Sequence, residues 1–214
     1  MEAPEGNRVS VVMGEKAAQQ LAYYKAAQGP GVFAPRGWYC FGTYGSGGDS
    51  LLVSPEPIDT AHLFSTEWAG LSGPAIDLRY NFGGTSGRFE VVEVISRVFP
   101  AYRGIPLVKR VAKEMKDFDP PEDPLRFGPY PTDKLTYKSA RAVEYQTLGE
   151  ADGLGTHSTL EKNGDSIDGV AVLVGDDPDL LLLAVRLPPA LSTLSSGIIG
   201  QVERDAARHP HGFD

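Results

Sequence analysis

Paired cysteines, long apolar runs and an excess of positive charge are what this sequence lacks, and each absence removes a class of function. Cys40 is the only cysteine, so no internal disulfide can form and no cysteine cage can hold a metal. No apolar stretch reaches the ~20 residues that a membrane-spanning helix needs, and no membrane insertion is expected. The opening residues Met1, Glu2, Ala3 and Pro4 lack the basic and apolar regions of a signal peptide. Acids outnumber bases, 28 Asp and Glu against 20 Lys and Arg, for a formal net charge of −8. A field of that sign repels polyanions, so no nucleic acid is expected as a partner. The one basic cluster, Lys109, Arg110, Lys113 and Lys116, alternates with Val108, Val111, Ala112 and Met115. That spacing describes a solvated helix face rather than a docking surface. High glycine and proline content with modest lysine favours a mature periplasmic or secreted domain over a cytoplasmic one.

What is present is enough apolar residue for a core: 41% of 214 residues are hydrophobic and 22% charged, ordinary for a globular chain. The clearest element is a strand at 75–82, where Ile76, Leu78, Tyr80 and Phe82 alternate with Asp77, Arg79 and Asn81 as a half-buried strand requires. After the turn Gly83 to Gly87, the apolar residues Val91, Val94, Ile95 and Val98 follow helical spacing, so 88–99 is read as a helix, with strand as the alternative. Pro106 marks the first turn of another helix running to about Lys116. Earlier, 8–13 reads as a strand, and Glu15 to Ala27 as a helix stopped by Gly29-Pro30. Leu51 to Val53 is strand-like, and 58–73 is ambiguous.

Five prolines in 118–131 forbid a regular helix and make that segment an extended connection. Beyond it come candidate strands at 134–138, 141–147, 156–161, 169–174 and 180–186. Their short connections imply antiparallel pairing. Pro188-Pro189 opens a last helix with the stripe Leu191, Leu194, Ile198, Val202 and Ala206, which should cover one sheet face. The expectation is one α+β domain over 1–214, a mainly antiparallel sheet covered by N-terminal, central and C-terminal helices, with a flexible tail at 207–214.

Two glycine-rich segments carry the functional expectations. In 36–50, Trp38, Tyr39, Phe41 and Tyr44 sit among glycines with polar Arg36, Ser46 and Asp49. Rigid aromatics on a permissive backbone suit recognition, and the competing structural reading is a hairpin whose aromatics fill the core. In 83–88, Thr85, Ser86 and Arg88 follow a strand and open a helix, where free amides attract anions and a hydroxyl can cap. The sequence has neither a third glycine for a dinucleotide fingerprint nor a Lys-Ser/Thr ending for a phosphate loop. The leading expectation is therefore a non-enzymatic domain that binds a small polar or anionic ligand or a protein partner through Arg36, Trp38, Tyr44, Ser46, Asp49, Thr85 and Arg88.

A small serine hydrolase is the alternative. Gly84-Thr85-Ser86 begins like a nucleophile elbow, though Arg88 stands where a small residue belongs. Ser86, or Ser46, would be the nucleophile and His157 or His62 the base. A structural or self-assembling domain is a further alternative. Asn163 to Gly169 hints at a calcium loop, but Ile167 occupies a ligand position and no glutamate closes it. No cofactor and no metal are expected.

Overall fold

The strand expected at 75–82 is the centre of the molecule. The computed structural model describes residues 15–61, 63, 65, 68–118 and 125–213, and in it the strand β5 (Ala75–Asn81) pairs on both sides. On one side lie β4 (Gly48–Ser54) and then β3 (Tyr39–Gly45). On the other lie β9 (Asp179–Arg186), β8 (Ile167–Val174), β7 (Ala142–Thr147) and β6 (Lys134–Ser139). The order is β3-β4-β5-β9-β8-β7-β6, and every pair is antiparallel. Two meanders, β3 to β5 and β6 to β9, thus meet along β5 and β9. A separate two-stranded ribbon is formed by β1 (Leu21–Lys25) and β2 (Gly31–Pro35).

Alternation sends successive side chains to opposite faces, and both faces are covered. One face contributes Ile76, Leu78, Tyr80, Val170, Val172, Leu181, Leu183 and Val185 to a core with Leu21, Val32 and Ala34 of the ribbon. The helix α4 (Ser195–Arg208) closes that core with Ile198, Val202 and Ala206. The other face contributes Val143, Tyr145, Ala171, Leu173, Leu180 and Leu182, packed under α2 (Arg88–Val98) and α3 (Pro106–Phe118). The β-branched residues of α2 are poor helix formers, yet Val91, Val92, Val94, Ile95 and Val98 are all buried, and burial overrides propensity. The molecule is an α+β fold with a mainly antiparallel sheet and four α-helices among the described residues. None of those helices is long and apolar enough to cross a membrane.

Several expectations need correction. The first helix, α1, covers only Glu15–Gln20; the chain then turns into β1, because Leu21 to Lys25 find a partner strand in β2. The structural reading of 36–50 as a hairpin holds for the backbone: β3 and β4 pair around the turn at Ser46-Gly47, with β2 preceding them. The last helix begins as a 3₁₀ turn, Pro189–Leu194, before α4. Residues 156–161 do not form a strand. That stretch is a chain of turns with one isolated parallel bridge, Leu160 to Leu71, which lies outside the strands of the sheet. Its hydrogen bonds go elsewhere, since the buried Asp77 carboxylate accepts from both the backbone N–H and the hydroxyl of Thr159, each at 2.9 Å.

The expected half-buried character of β5 is corrected in the same way. Asp77 is 1% exposed, and its face of the sheet is roofed by α2 and the 150–160 loop rather than by water. The candidate strand at 8–13 and His62 lie outside the described residues, as does part of the proline-rich connection. The described end of that connection is packed: Leu125 is buried beside α2, and the Ser96 hydroxyl donates to the Arg126 carbonyl at 3.0 Å.

Candidate functional site

The two glycine-rich segments meet at one end of the sheet. The turn between β3 and β4 leans on the turn between β5 and α2: Phe82 N–H donates to the Gly47 carbonyl at 3.0 Å, and the Ser46 and Ser86 hydroxyls lie 3.1 Å apart. A Cβ on Gly87 would stand 2.0 Å from that Gly47 carbonyl oxygen, so this approach requires glycine. Gly87, not Thr85 or Ser86, is the N-cap of α2, and no side chain caps it. Ser86 is turned toward Ser46 instead, and the Thr85 hydroxyl donates back to Phe82 O at 3.3 Å.

The charged residues of both segments are held by their own chain. Arg88 donates to Glu114 at 2.8 Å and to the Thr85 carbonyl at 2.7 Å, with its guanidinium 4.5 Å above the Phe89 ring. Arg36 donates to the Ala18 and Gln19 carbonyls at 3.1 and 3.0 Å, where it terminates α1. Asp49 lies opposite Tyr44 on β3 and Tyr80 on β5, and burial raises its carboxyl above the ordinary range.

The aromatics divide. Trp38 packs against the core under α4, and its backbone N–H donates to the Tyr24 hydroxyl at 3.1 Å. Tyr39 and Tyr44 are 52% and 69% exposed, so the hairpin forms without its tyrosines filling the core. They sit at opposite ends of β3, and their spacing places them on opposite faces of the sheet. β3 is an edge strand; among the described residues its backbone pairs with β4 alone.

A second polar assembly lies on the roofed face. Asp77 and Arg79 project from β5 and pair at 2.9 Å. Arg79 lies 4.0 Å from Glu90 of α2. His157 Nε2 lies 3.2 Å from Glu90 Oε1 and 3.6 Å from Glu93 Oε2. The 3.2 Å approach is an ion-pair contact, and neither buried atom meets the geometry of a hydrogen bond. Burial raises the Glu90 carboxyl, but His157 and Arg79 outweigh it and hold the acid below its usual value. Glu90 in turn pushes the His157 imidazole up, against the opposing effect of burial and with help from Glu93.

The 150–160 loop that delivers His157 is fixed from beneath. Asp133 accepts from Thr147 at 2.7 Å and from Leu154 N–H at 3.0 Å. Buried Arg186 donates to the carbonyls of Gly73, Glu161 and Leu71. His157 opens onto a cleft of about 640 Å³ whose walls include Glu93, Arg97, Arg126, Tyr130 and Asp152. Arg97 stacks 4.1 Å above the Tyr130 ring, and its Nε is buried without a partner.

The structure therefore joins Ser46 to Ser86 but does not hydrogen-bond Ser86 to His157, whose ring nitrogen faces the two glutamates. Sequence reasoning picked out His157 and missed Glu90, Glu93 and Arg97. A signal existed: these three recur at i, i+3 and i+7, a polar stripe along one side of an otherwise apolar helix. No family model matches the chain, and no curated protein or solved structure matches it.

Proposed function

We propose that the chain is a non-enzymatic recognition domain whose partner is an extended polypeptide segment that adds as a further strand alongside β3. The carrying observation is the contrast between the two sheet edges. Native edges are blunted by charge, proline or bulges, and β6 has Lys134, Lys138 and a register shift between Tyr137 and Ser139. β3, Tyr-Cys-Phe-Gly-Thr-Tyr-Gly, has no charge, no proline and an unbroken register with β4. Strand addition draws affinity from main-chain hydrogen bonds and specificity from side-chain neighbours. Tyr39 and Tyr44 would meet the added strand's side chains on either face, as cross-strand aromatic pairs do.

Other readings have less support. An anionic ligand would need the Arg36 and Arg88 guanidiniums, which are already held by Ala18, Gln19, Glu114 and Thr85. A serine hydrolase would need a Ser86 to His157 hydrogen bond.

The test is selection from a displayed library of random peptides on the wild-type chain, repeated on the double variant Tyr39→Lys/Tyr44→Lys. Enriched peptides should bind the variant at least about tenfold more weakly, and β3 amides should gain hydrogen-exchange protection in the complex. Equal binding to both proteins, or no protection in β3, would remove the proposal.

A further inference from the structure

Apart from the β3 edge, the cluster on the roofed face has the geometry of a metal centre. We infer that Glu90 Oε1, Glu93 Oε2 and His157 Nε2 form a three-ligand site for a Zn²⁺-class divalent ion, its remaining coordination position open to the cleft.

The separations carry the inference. With bonds of about 2.0–2.2 Å, the ligand atoms of a tetrahedral zinc site stand ~3.4 Å from one another. The imidazole nitrogen lies 3.2 Å from one carboxylate oxygen and 3.6 Å from the other, and all three atoms fall within a 4.8 Å group. The chain builds this from two elements. Glu90 and Glu93, three residues apart on α2, share a helix face, and the 150–160 loop brings His157 over them.

A second observation concerns how those atoms are satisfied. His157 Nε2 and Glu90 Oε1 are buried and stand at ion-pair distance, yet neither meets the geometry of a hydrogen bond. Buried polar atoms are nearly always satisfied, and an ion between them would satisfy both. Charge is consistent as well. The nearby Arg79 guanidinium is matched first by Asp77 at 2.9 Å and lies farther, 4.0 Å, from Glu90, so both glutamates keep negative charge to offer an ion. One imidazole with two carboxylates suits a borderline ion such as Zn²⁺ better than Ca²⁺ or Mg²⁺, which take oxygen ligands in greater number. The cleft that His157 and Glu93 line also contains Arg97 and Arg126, and Arg97 Nε is buried without a hydrogen-bond partner.

The experiment is titration of the metal-stripped full chain with Zn²⁺ by calorimetry, and with Co²⁺ by visible spectroscopy. It is carried out on the wild type, Glu93→Gln, His157→Ala, and His209→Ala/His211→Ala, the last removing the other histidine pair near the C-terminal end. Expected are one Zn²⁺ per chain, the intense d–d absorption of four- or five-coordinate Co²⁺, and unchanged binding in the His209/His211 variant. Glu93→Gln and His157→Ala should each weaken binding by ~100-fold or more, since even outer-shell partners are worth 10–100-fold. The Glu93 side chain is 40% exposed, so Glu93→Gln keeps the fold, with an unchanged circular dichroism spectrum as the check. The inference is overturned if the wild type shows no saturable Zn²⁺ binding. It is equally overturned if Glu93→Gln binds like the wild type, or if binding vanishes with His209 and His211 instead.

Discussion

Trp38 and Tyr44 come from the same glycine-rich stretch and have opposite roles. Trp38 is packed on the core and Tyr44 stands in solvent. Trp38→Ala should therefore lower stability by about 2–4 kcal/mol through lost burial, whereas Tyr44→Ala should shift it by no more than about 0.5 kcal/mol. Urea unfolding midpoints of the two variants measure the difference. Asp77 is a stricter case. Its carboxylate accepts from Arg79 and twice from Thr159 while fully buried. Replacing it with alanine strands those donors in a dry site, and Asp77→Ala should cost about 3 kcal/mol. Loss of the Thr159 contacts should also loosen the 150–160 loop, visible as faster hydrogen exchange there.

Two tyrosines set a pH limit. Burial, followed by the 2.7 Å hydrogen bond to Asp179, pushes the Tyr80 phenol far above its ordinary value. Burial does the same for Tyr145, which donates to the Leu183 carbonyl at 2.8 Å. For a group whose folded pKa is raised, the stabilisation is fully present below the unfolded value, near ~10 for tyrosine. It is lost as pH rises through the folded value, because the unfolded chain releases its proton first. Stability should hold between about pH 7 and 9 and fall above about pH 10. The double variant Tyr80→Phe/Tyr145→Phe, though less stable at neutral pH, should show a shallower fall. An identical slope in both proteins would refute the assignment.

At the scale of elements, the ribbon β1–β2 shares a core with α4 and is also hydrogen-bonded to it through Gln201. Gln201 accepts from Phe33 N–H at 2.9 Å and donates to the Gly31 carbonyl at 3.2 Å, so a helix glutamine satisfies the free edge of β2. Gln201→Leu keeps the volume and orphans two backbone groups, for an expected loss of about 2 kcal/mol. Thermal melts would show it, and Gln201→Ala should not be worse by more than the small cavity it leaves.

The same elements show what was legible in the sequence. β5, α2, α3, the hairpin β8–β9 and α4 follow from periodicity within single segments, because each buries one continuous stripe or alternates cleanly. The N-terminal helix extends too far on sequence alone, since the pairing that turns Leu21 to Lys25 into a strand belongs to residues 31–35. The 156–161 segment reads as a strand for the opposite reason. Its alternation of residue types resembles a strand, but the segment forms turns and its hydrogen bonds are claimed by Asp77 and Arg186 from distant strands. The polar cluster was half visible. His157 stood out, while its partners Glu90 and Glu93 looked like an ordinary outer helix face, and only the 150–160 loop folded over α2 makes that face half-buried.

At the scale of the molecule, the two cores are two sides of the same strands. Leu181 and Leu183 of β9 face α4, and Leu180 and Leu182 face α2. Neither layer can lose its packing without uncovering a sheet that the other layer needs, so both should unfold in one transition. Ile198→Ala opens a cavity under α4, and Ile95→Ala opens one under α2; both isoleucines are fully buried. Each should cost about 2–5 kcal/mol. Because the sheet separates the sites and they share no partner, the double variant should be additive to within about 0.5 kcal/mol. Near-ultraviolet and far-ultraviolet circular dichroism should report the same midpoint in every variant. If Ile198→Ala instead splits the unfolding curve, with α4 and the ribbon leaving first, then β5, β8 and β9 do not couple the layers. The sheet would then remain folded with one face bare, and such a species would expose Ile76, Leu78, Leu181 and Leu183 and aggregate.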